Sequence, residues 1–345
     1  LIDVTRIQYP VGQGCFHVGT VEWRNEPSAG SFRYVYDCGS KNKTALARSV
    51  NAMLKRHPGI DALFVSHLHD DHVNGLDRLL GSVRANTVFI PHLSVSATVA
   101  DLVADAADGA LSHSLIEASL DPEGWFGQRG VSRIVRVRPS PPGEAPTAGA
   151  GPDDSPEGGE PPYREISWKP RETRDEDAGR PANLESMESG EMLAPDPGSK
   201  ALDWVLVPHV DPESQADVAR FETEIAKVLG LPDLENLTTQ QLAKALRDSE
   251  QRNELRSCYT RCFGANHNRV SMSVYSGPKS DPEKRYWRYS SGYSFGHLLH
   301  WRGAAGWIGT GDAELKNHHV RNAWQRSYSL FLRNGCSSRV SIVSG

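Results

Sequence analysis

The run His67-Leu68-His69-Asp70-Asp71-His72, placed directly after the apolar, strand-like Ala62-Leu63-Phe64-Val65, constrains this chain more than any other feature. Residues two apart in an extended segment point the same way, so His67 and His69 can converge on one point as the chain leaves the strand. Asp71 and His72 fall where the chain turns back into a helix and can approach a second point a few ångströms away. Three imidazoles and a carboxylate within six residues offer the nitrogen and oxygen donors that zinc, manganese or iron accept. The carboxyl end of a strand is also where α/β proteins place their sites. Asp70, between the two sets, is expected to face solvent.

The surroundings suit α/β layers. A β-branched stretch around Tyr34-Val35-Tyr36 ends at Asp37-Cys38-Gly39, and a helix follows with Leu46, Val50, Met53 and Leu54 on one face. After the histidine run come a second helix carrying Val73, Leu76, Leu79 and Leu80, and the strand Thr87–Ile90 closed by Pro91. The β-α-β-α-β order indicates helices packed on a sheet. Residues 1–137 are read as the N-terminal half of one domain. Residues 138–200, rich in Pro, Gly and acidic residues with almost no apolar period, are read as a disordered, low-complexity insertion. Residues 201–345 are read as a helical insertion followed by the C-terminal half. They open on the strand Trp204–Val207 and continue with a helix of Val218, Phe221, Ile225 and Val228 stopped by Gly230. A further helix is capped by Thr238 and Gln241 at capping-box spacing. Strands at Val270–Tyr275, His297–Trp301 and Trp307–Gly309 complete the pattern.

The net charge of −5 gives no general attraction to nucleic acid or anionic membrane, so a phosphate-bearing substrate must be held locally. No apolar run reaches membrane-spanning length and no leader pattern opens the chain, hence the expectation of a soluble, cytoplasmic protein with no membrane partner. The five cysteines lack a framework spacing, and Cys258 and Cys262 are expected as buried thiols. The chain begins with Leu1 and stops in the strand-like Arg339–Val343, the pattern of a piece truncated at its C-terminus. Trp287, Tyr289 and Tyr293, interleaved with Lys284, Arg285 and Arg288, could contact nucleic acid; a hairpin with a solvated basic face is the plainer reading.

Ser66-His67-Leu68-His69-Asp70-Asp71-His72, continued by Asn74-Gly75-Leu76, resembles the HxHxDH signature of the metallo-β-lactamase superfamily. Val11-Gly12-Gln13-Gly14, Tyr36-Asp37-Cys38-Gly39, Asn268-Arg269-Val270-Ser271 and Thr310-Gly311-Asp312 are similar to motifs of the branch containing the nuclease-like domain of bacterial DNA-uptake channels. The resemblance implies a four-layer αββα sandwich. It further implies that His67 and His69 ligate one metal, Asp71 and His72 a second, and that Asp312 bridges them, two Zn2+ per chain if the site is complete, with Mn2+ or Fe as alternatives. Asp71 and Asp312 would be the catalytic carboxylates. Asp37 would accept a hydrogen bond from a ligand histidine, or merely close a turn. The superfamily commonly has two further histidines that no motif assigns here. His92 and His209 are candidates for the first, although a surface or core position fits each. The last is sought at His318, His319 or beyond residue 345. The implied activity is water activation for hydrolysis of a small-molecule or nucleic-acid phosphodiester. The alternatives are an ester, thioester or lactone hydrolase of the same fold and a catalytically silent binding module.

Overall fold

The structure, a computed structural model, describes residues 2–23, 30–106, 111–139, 165–168, 183–195, 204–210, 215–234, 237–264, 270–278, 290–295, 298–302, 307–309 and 341–343. In chain order the first half runs β1 (Ile2–Gln8), β2 (His17–Trp23), β3 (Ser31–Tyr36), α1 (Lys43–Leu54), β4 (Ile60–Phe64), α2 (Asp70–Val73), α3 (Leu76–Leu80), β5 (Ala85–Pro91), α4 (Val95–Asp105), α5 (His113–Leu120), α6 (Pro122–Gln128) and β6 (Arg133–Arg138). Then follow β7 (Glu165–Trp168), β8 (Asn183–Glu188), β9 (Met192–Pro195), β10 (Trp204–Val210), α7 (Gln215–Leu229), α8 (Thr239–Arg247), α9 (Ser249–Phe263), β11 (Met272–Pro278), β12 (Ser290–Phe295), β13 (Leu298–Arg302), β14 (Trp307–Gly309) and β15 (Ser341–Val343).

The strands form two sheets. The first has the order β12-β13-β1-β2-β3-β4-β5-β6-β8 and the second β15-β14-β11-β10-β9-β7. From β3 to β8 the first sheet is parallel, and from β3 to β6 its neighbouring strands are joined through helices, as parallel pairing demands. Alternation along these strands divides the core in two. Val35, Leu63, Val65, Val88 and Ile90 turn toward the helices, whereas Tyr36, Phe64, Phe89 and Val135 turn toward Trp204, Leu206, Met272 and Val274 of the second sheet. Phe64 and Phe89 stack at 4.5 Å between the sheets. The outer face of the second sheet is buried as well: Val205, Ser273 and Tyr275, which alternate with the inter-sheet residues, are all enclosed.

Two sequence expectations need correction. Within 138–200, β7, β8 and β9 are ordered strands: β8 pairs with β6, and β9 pairs with both β10 and β7. Composition hid them because β8 buries little beyond Met187 and takes its order from ladder hydrogen bonds. The helix expected after His72 is two short helices, broken at Asn74-Gly75, where the Gly75 N–H bonds the Cys38 carbonyl at 2.8 Å. Three local expectations hold: Gly230 adopts φ 68 after α7, Thr238 and Gln241 form a reciprocal capping box on α8, and Cys258 and Cys262 are buried. Helices α7 to α9 do not stand apart. Phe221, Ile225, Leu242, Leu255 and Tyr259 join the helix-side core, and Ser96 Oγ of α4 donates to Glu222 of α7 at 2.8 Å. Among the described residues no helix is long and apolar enough to cross a membrane. Of the basic-aromatic stretch only Tyr293, in β12, falls within the described residues.

Candidate metal centre

The histidine turn leaves β4 and is held by its neighbours rather than by its own helix. Met272 N–H, at the start of β11, donates to the Ser66 carbonyl at 2.7 Å, and Tyr36 Oη donates to the Met272 carbonyl at 2.8 Å. The turn therefore sits where the two sheets meet. From the other side Cys38 N–H donates to the His72 carbonyl at 2.9 Å, and Asn74 brackets Ser40, accepting from its N–H at 3.1 Å and donating to its carbonyl at 2.9 Å. Gly14 and Gly39 lie flat against this backbone: a Cβ on Gly39 would collide with main-chain atoms of Asp71 and His72, and one on Gly14 with the Asp71 carbonyl. The glycines of the two opening motifs thus admit the turn to its seat.

Asp37 organises the rings. It follows β3 at φ 55, the one positive φ of a non-glycine among the described residues, and its carboxylate is fully buried. It accepts from Ser66 N–H at 2.7 Å, from Ser66 Oγ at 2.7 Å and from His72 Nδ1 at 2.9 Å. Ser66 Oγ, having given its proton to Asp37, accepts from His67 Nδ1 at 2.9 Å. In this network both His67 and His72 carry the proton on Nδ1, which leaves each Nε2 with a lone pair. That is the tautomer a metal-ligating histidine adopts when a carboxylate or hydroxyl orients it. Burial, followed by the proximity of His72 and His69, holds His67 well below the ordinary imidazole range, so it stays neutral.

The His67 ring lies 4.5 Å from that of His69 and 4.1 Å from that of His72, centroid to centroid. The structure thus brings together the three predicted histidines, with Asp71 half-buried in the first turn of α2. Among the described residues, no three His, Cys, Asp or Glu side chains are arranged to hold an ion by themselves. Asp312, His318 and His319 lie outside the described residues. The donor chemistry present nevertheless fits a divalent ion such as zinc, since three buried imidazoles crowded at one turn are the ligand type such an ion accepts. Asp70 does not simply face solvent: half-buried, it accepts from Asn74 Nδ2 at 2.8 Å. His209 lies on the outer face of the second sheet, since its alternate neighbours Leu206 and Val210 bracket the inter-sheet side. His92 sits half-buried at the end of β5. Ser66 was not singled out from sequence as the link between Asp37 and His67; its position immediately before the first histidine was the available signal.

The protonation of these rings couples to folding. Burial holds His17 and His67 well below the usual 6.5 and lowers His57 to about 4. The unfolded chain takes up protons at these rings near pH 6.5 and the folded chain does not, so stability falls as pH drops below that point. The urea midpoint of metal-free protein is expected to be flat above neutrality and to fall between pH 6.5 and 4, with His17 and His67 each adding at most about 1.4 kcal/mol per pH unit. A midpoint independent of pH across that window would show that the rings are not held neutral.

A family profile described as anti-Pycsar protein Apyc1 matches residues 28–117, the segment from the start of β3 through the histidine turn into α5. A search of curated proteins finds no match. Among solved structures the chain is similar to a long-form RNase Z from yeast at 10% identity and TM-score 0.33, over 99% of this chain and 33% of that one. It thus spans only 33% of the yeast protein's length. It is also similar to the metallo-β-lactamase SMB-1 bound to 2-mercaptoethanesulfonate (10% identity, TM-score 0.29, 97% of this chain and 74% of that one). A third similarity is to the metallo-β-lactamase fold protein YhfI from Bacillus subtilis (9% identity, TM-score 0.21, 59% and 52%). The chain itself shows a helical layer, two sheets packed through a common core and the His67-Leu68-His69-Asp70-Asp71-His72 turn seated where those sheets meet.

Proposed function

We propose that this chain is a metal-dependent hydrolase of phosphodiesters, with His67, His69, Asp71, His72 and Asp312 as its metal-binding residues and zinc as the ion. The observation that carries the metal reading is the Asp37–Ser66 network, which fixes Nδ1 of His67 and His72 and presents both Nε2 atoms as donors. When bound, divalent ions supply Lewis acidity toward a phosphoryl group and ease ionisation of water at neutral pH. The chain's own contribution is orientation. Asp37 and Ser66 lock the rings, the backbone bonds from Cys38 and Met272 fix the turn, and Asp71 and Asp312 are the carboxylates that orient the attacking water. The phosphodiester part of the reading rests on the resemblance carried by Gly12-Gln13-Gly14, Asn268–Ser271 and Thr310-Gly311-Asp312.

Elemental analysis of the purified chain, beside His67→Ala and His69→Ala, tests the metal reading. Up to two zinc per wild-type chain are expected, and either substitution is expected to remove at least one. Cleavage of bis(p-nitrophenyl) phosphate by the zinc-, manganese- or iron-loaded protein, compared with p-nitrophenyl acetate, tests the substrate class. Metal-loaded protein that turns over only the acetate ester would make it a carboxylic ester hydrolase. Wild-type protein that takes up no metal would remove the hydrolase reading altogether.

A further inference from the structure

Helix α2 starts without a cap of its own. Asn42, Ser94, Ser112, Asp121, Thr238 and Asp248 each precede a helix, and each side chain accepts from one of that helix's first N–H groups. At α2 the corresponding residue is His69, extended at φ −89 and ψ 150, and its side chain makes no such bond. The first N–H groups of a helix have no partner inside it. Here the leading one, on Asp70, donates to Asp105 Oδ2 at 2.8 Å, from the last residue of α4. A carboxylate distant in sequence thus takes the part of the cap side chain.

The exchange has a chemical reason. A side chain that caps its own helix is folded back onto that helix, and could not also be presented to an ion. With Asp105 as the acceptor, His69 holds the cap position through its backbone alone: its carbonyl accepts from His72 N–H at 2.9 Å and from Val73 N–H at 3.2 Å. Its ring stands 4.5 Å from that of His67. Asp70 is tied at its other end as well, since its carboxylate accepts from Asn74 Nδ2 at 2.8 Å and the same amide brackets Ser40. It is therefore anchored to α4 through its N–H and to the loop after β3 through its side chain, between His69 and Asp71, two of the proposed ligands. Along α4, Ser94, Thr98, Asp101 and Asp105 recur on one face at helical spacing, so Asp105 continues a polar stripe rather than interrupting an apolar one.

We propose that Asp105 is a positioning residue of the metal centre: it caps α2 in place of His69, and so lets that histidine be both the start of the helix and a metal ligand. The assignment rests on the metal reading of the histidine turn and does not depend on the substrate. The test compares Asp105→Ala and Asp105→Asn with Leu102→Ala, a truncation of a buried core residue on the same helix that removes no hydrogen bond. Three quantities are read: exchange of the Asp70 amide in metal-free protein by NMR, the urea midpoint, and zinc affinity by chelator competition. Asp105→Ala is expected to speed exchange at Asp70 and to weaken zinc binding about tenfold or more. Asparagine keeps an acceptor oxygen at the same reach and is expected to restore most of both. Leu102→Ala is expected to lower the urea midpoint while zinc affinity stays near the wild-type value. Asp105→Ser, too short to reach the Asp70 N–H, is carried alongside against failure of the alanine variant to fold, and is expected to behave as alanine does. Wild-type zinc affinity or unchanged Asp70 exchange in these variants would overturn the proposal. So would a zinc loss that asparagine does not relieve or that Leu102→Ala reproduces, since Asp105 would then serve stability alone. Wild-type protein that binds no zinc would overturn this assignment together with the metal reading, whereas zinc binding indifferent to Asp105 would remove this assignment only.

Discussion

Asp37→Ala is expected to destabilise the metal-free protein by about 3–5 kcal/mol and to weaken zinc binding about 10- to 100-fold. The carboxylate is fully buried and accepts three hydrogen bonds, from Ser66 N–H, Ser66 Oγ and His72 Nδ1. Its removal strands three donors in the interior and frees the His72 ring to choose the wrong tautomer. Asp37→Asn separates the two effects. Asparagine tolerates the φ of 55 as well as aspartate does, whereas one of its two acceptor oxygens becomes an N–H2 that confronts a donor. The asparagine variant should therefore fold with a smaller loss and still bind zinc weakly. Urea denaturation and a chelator-competition titration measure the two quantities; wild-type zinc affinity in Asp37→Asn would show that Asp37 only closes a turn.

Gly39→Ala is expected to cost about 3 kcal/mol or more, because the added methyl meets backbone on the opposite side. A flexible side chain could swing aside, but the main chain of Asp71 and His72 can yield only by moving the histidine turn itself. Loss of stability should therefore be accompanied by loss of metal, although residue 39 carries no donor. Gly59→Ala is the matched control: a Cβ there meets nothing within 4 Å, and its effect should stay within about 0.5 kcal/mol. Thermal unfolding of the three proteins, with metal content alongside, decides the matter. A Gly39→Ala protein as stable as Gly59→Ala would mean the close approach is absent in solution.

The sequence was most legible where one local signal decided the outcome. An apolar strand followed by alternating histidines located the turn after β4, and the Thr238–Gln241 spacing produced the capping box it specifies. It was least legible where order came from distant partners. β8 has almost no apolar pattern, because being next to β6 is what makes it a strand. Likewise the break between α2 and α3 depends on Cys38 reaching Gly75, a contact invisible to helical periodicity. At the site, the three histidines were readable as donor types at a spacing. Asp37's bond to His72 was an implication of resemblance, and the linking role of Ser66 emerged only once two strands far apart in sequence stood side by side.

The hydrogen bond from Tyr36 to Met272 ties residues 236 positions apart, and the neighbouring bond from Met272 to Ser66 fastens the same loop at the histidine turn. Loop-closure entropy grows only with the logarithm of loop length, about 0.6 kcal/mol per doubling. Once such a long loop has been closed, further residues inserted between β6 and β10 make little thermodynamic difference to the turn. The same long closure makes the turn a late event in folding, since β11 must arrive before Ser66 is fixed. Early intermediates would therefore hold the three histidines on a loose tether, and tight ion capture would mark the end of folding rather than its start.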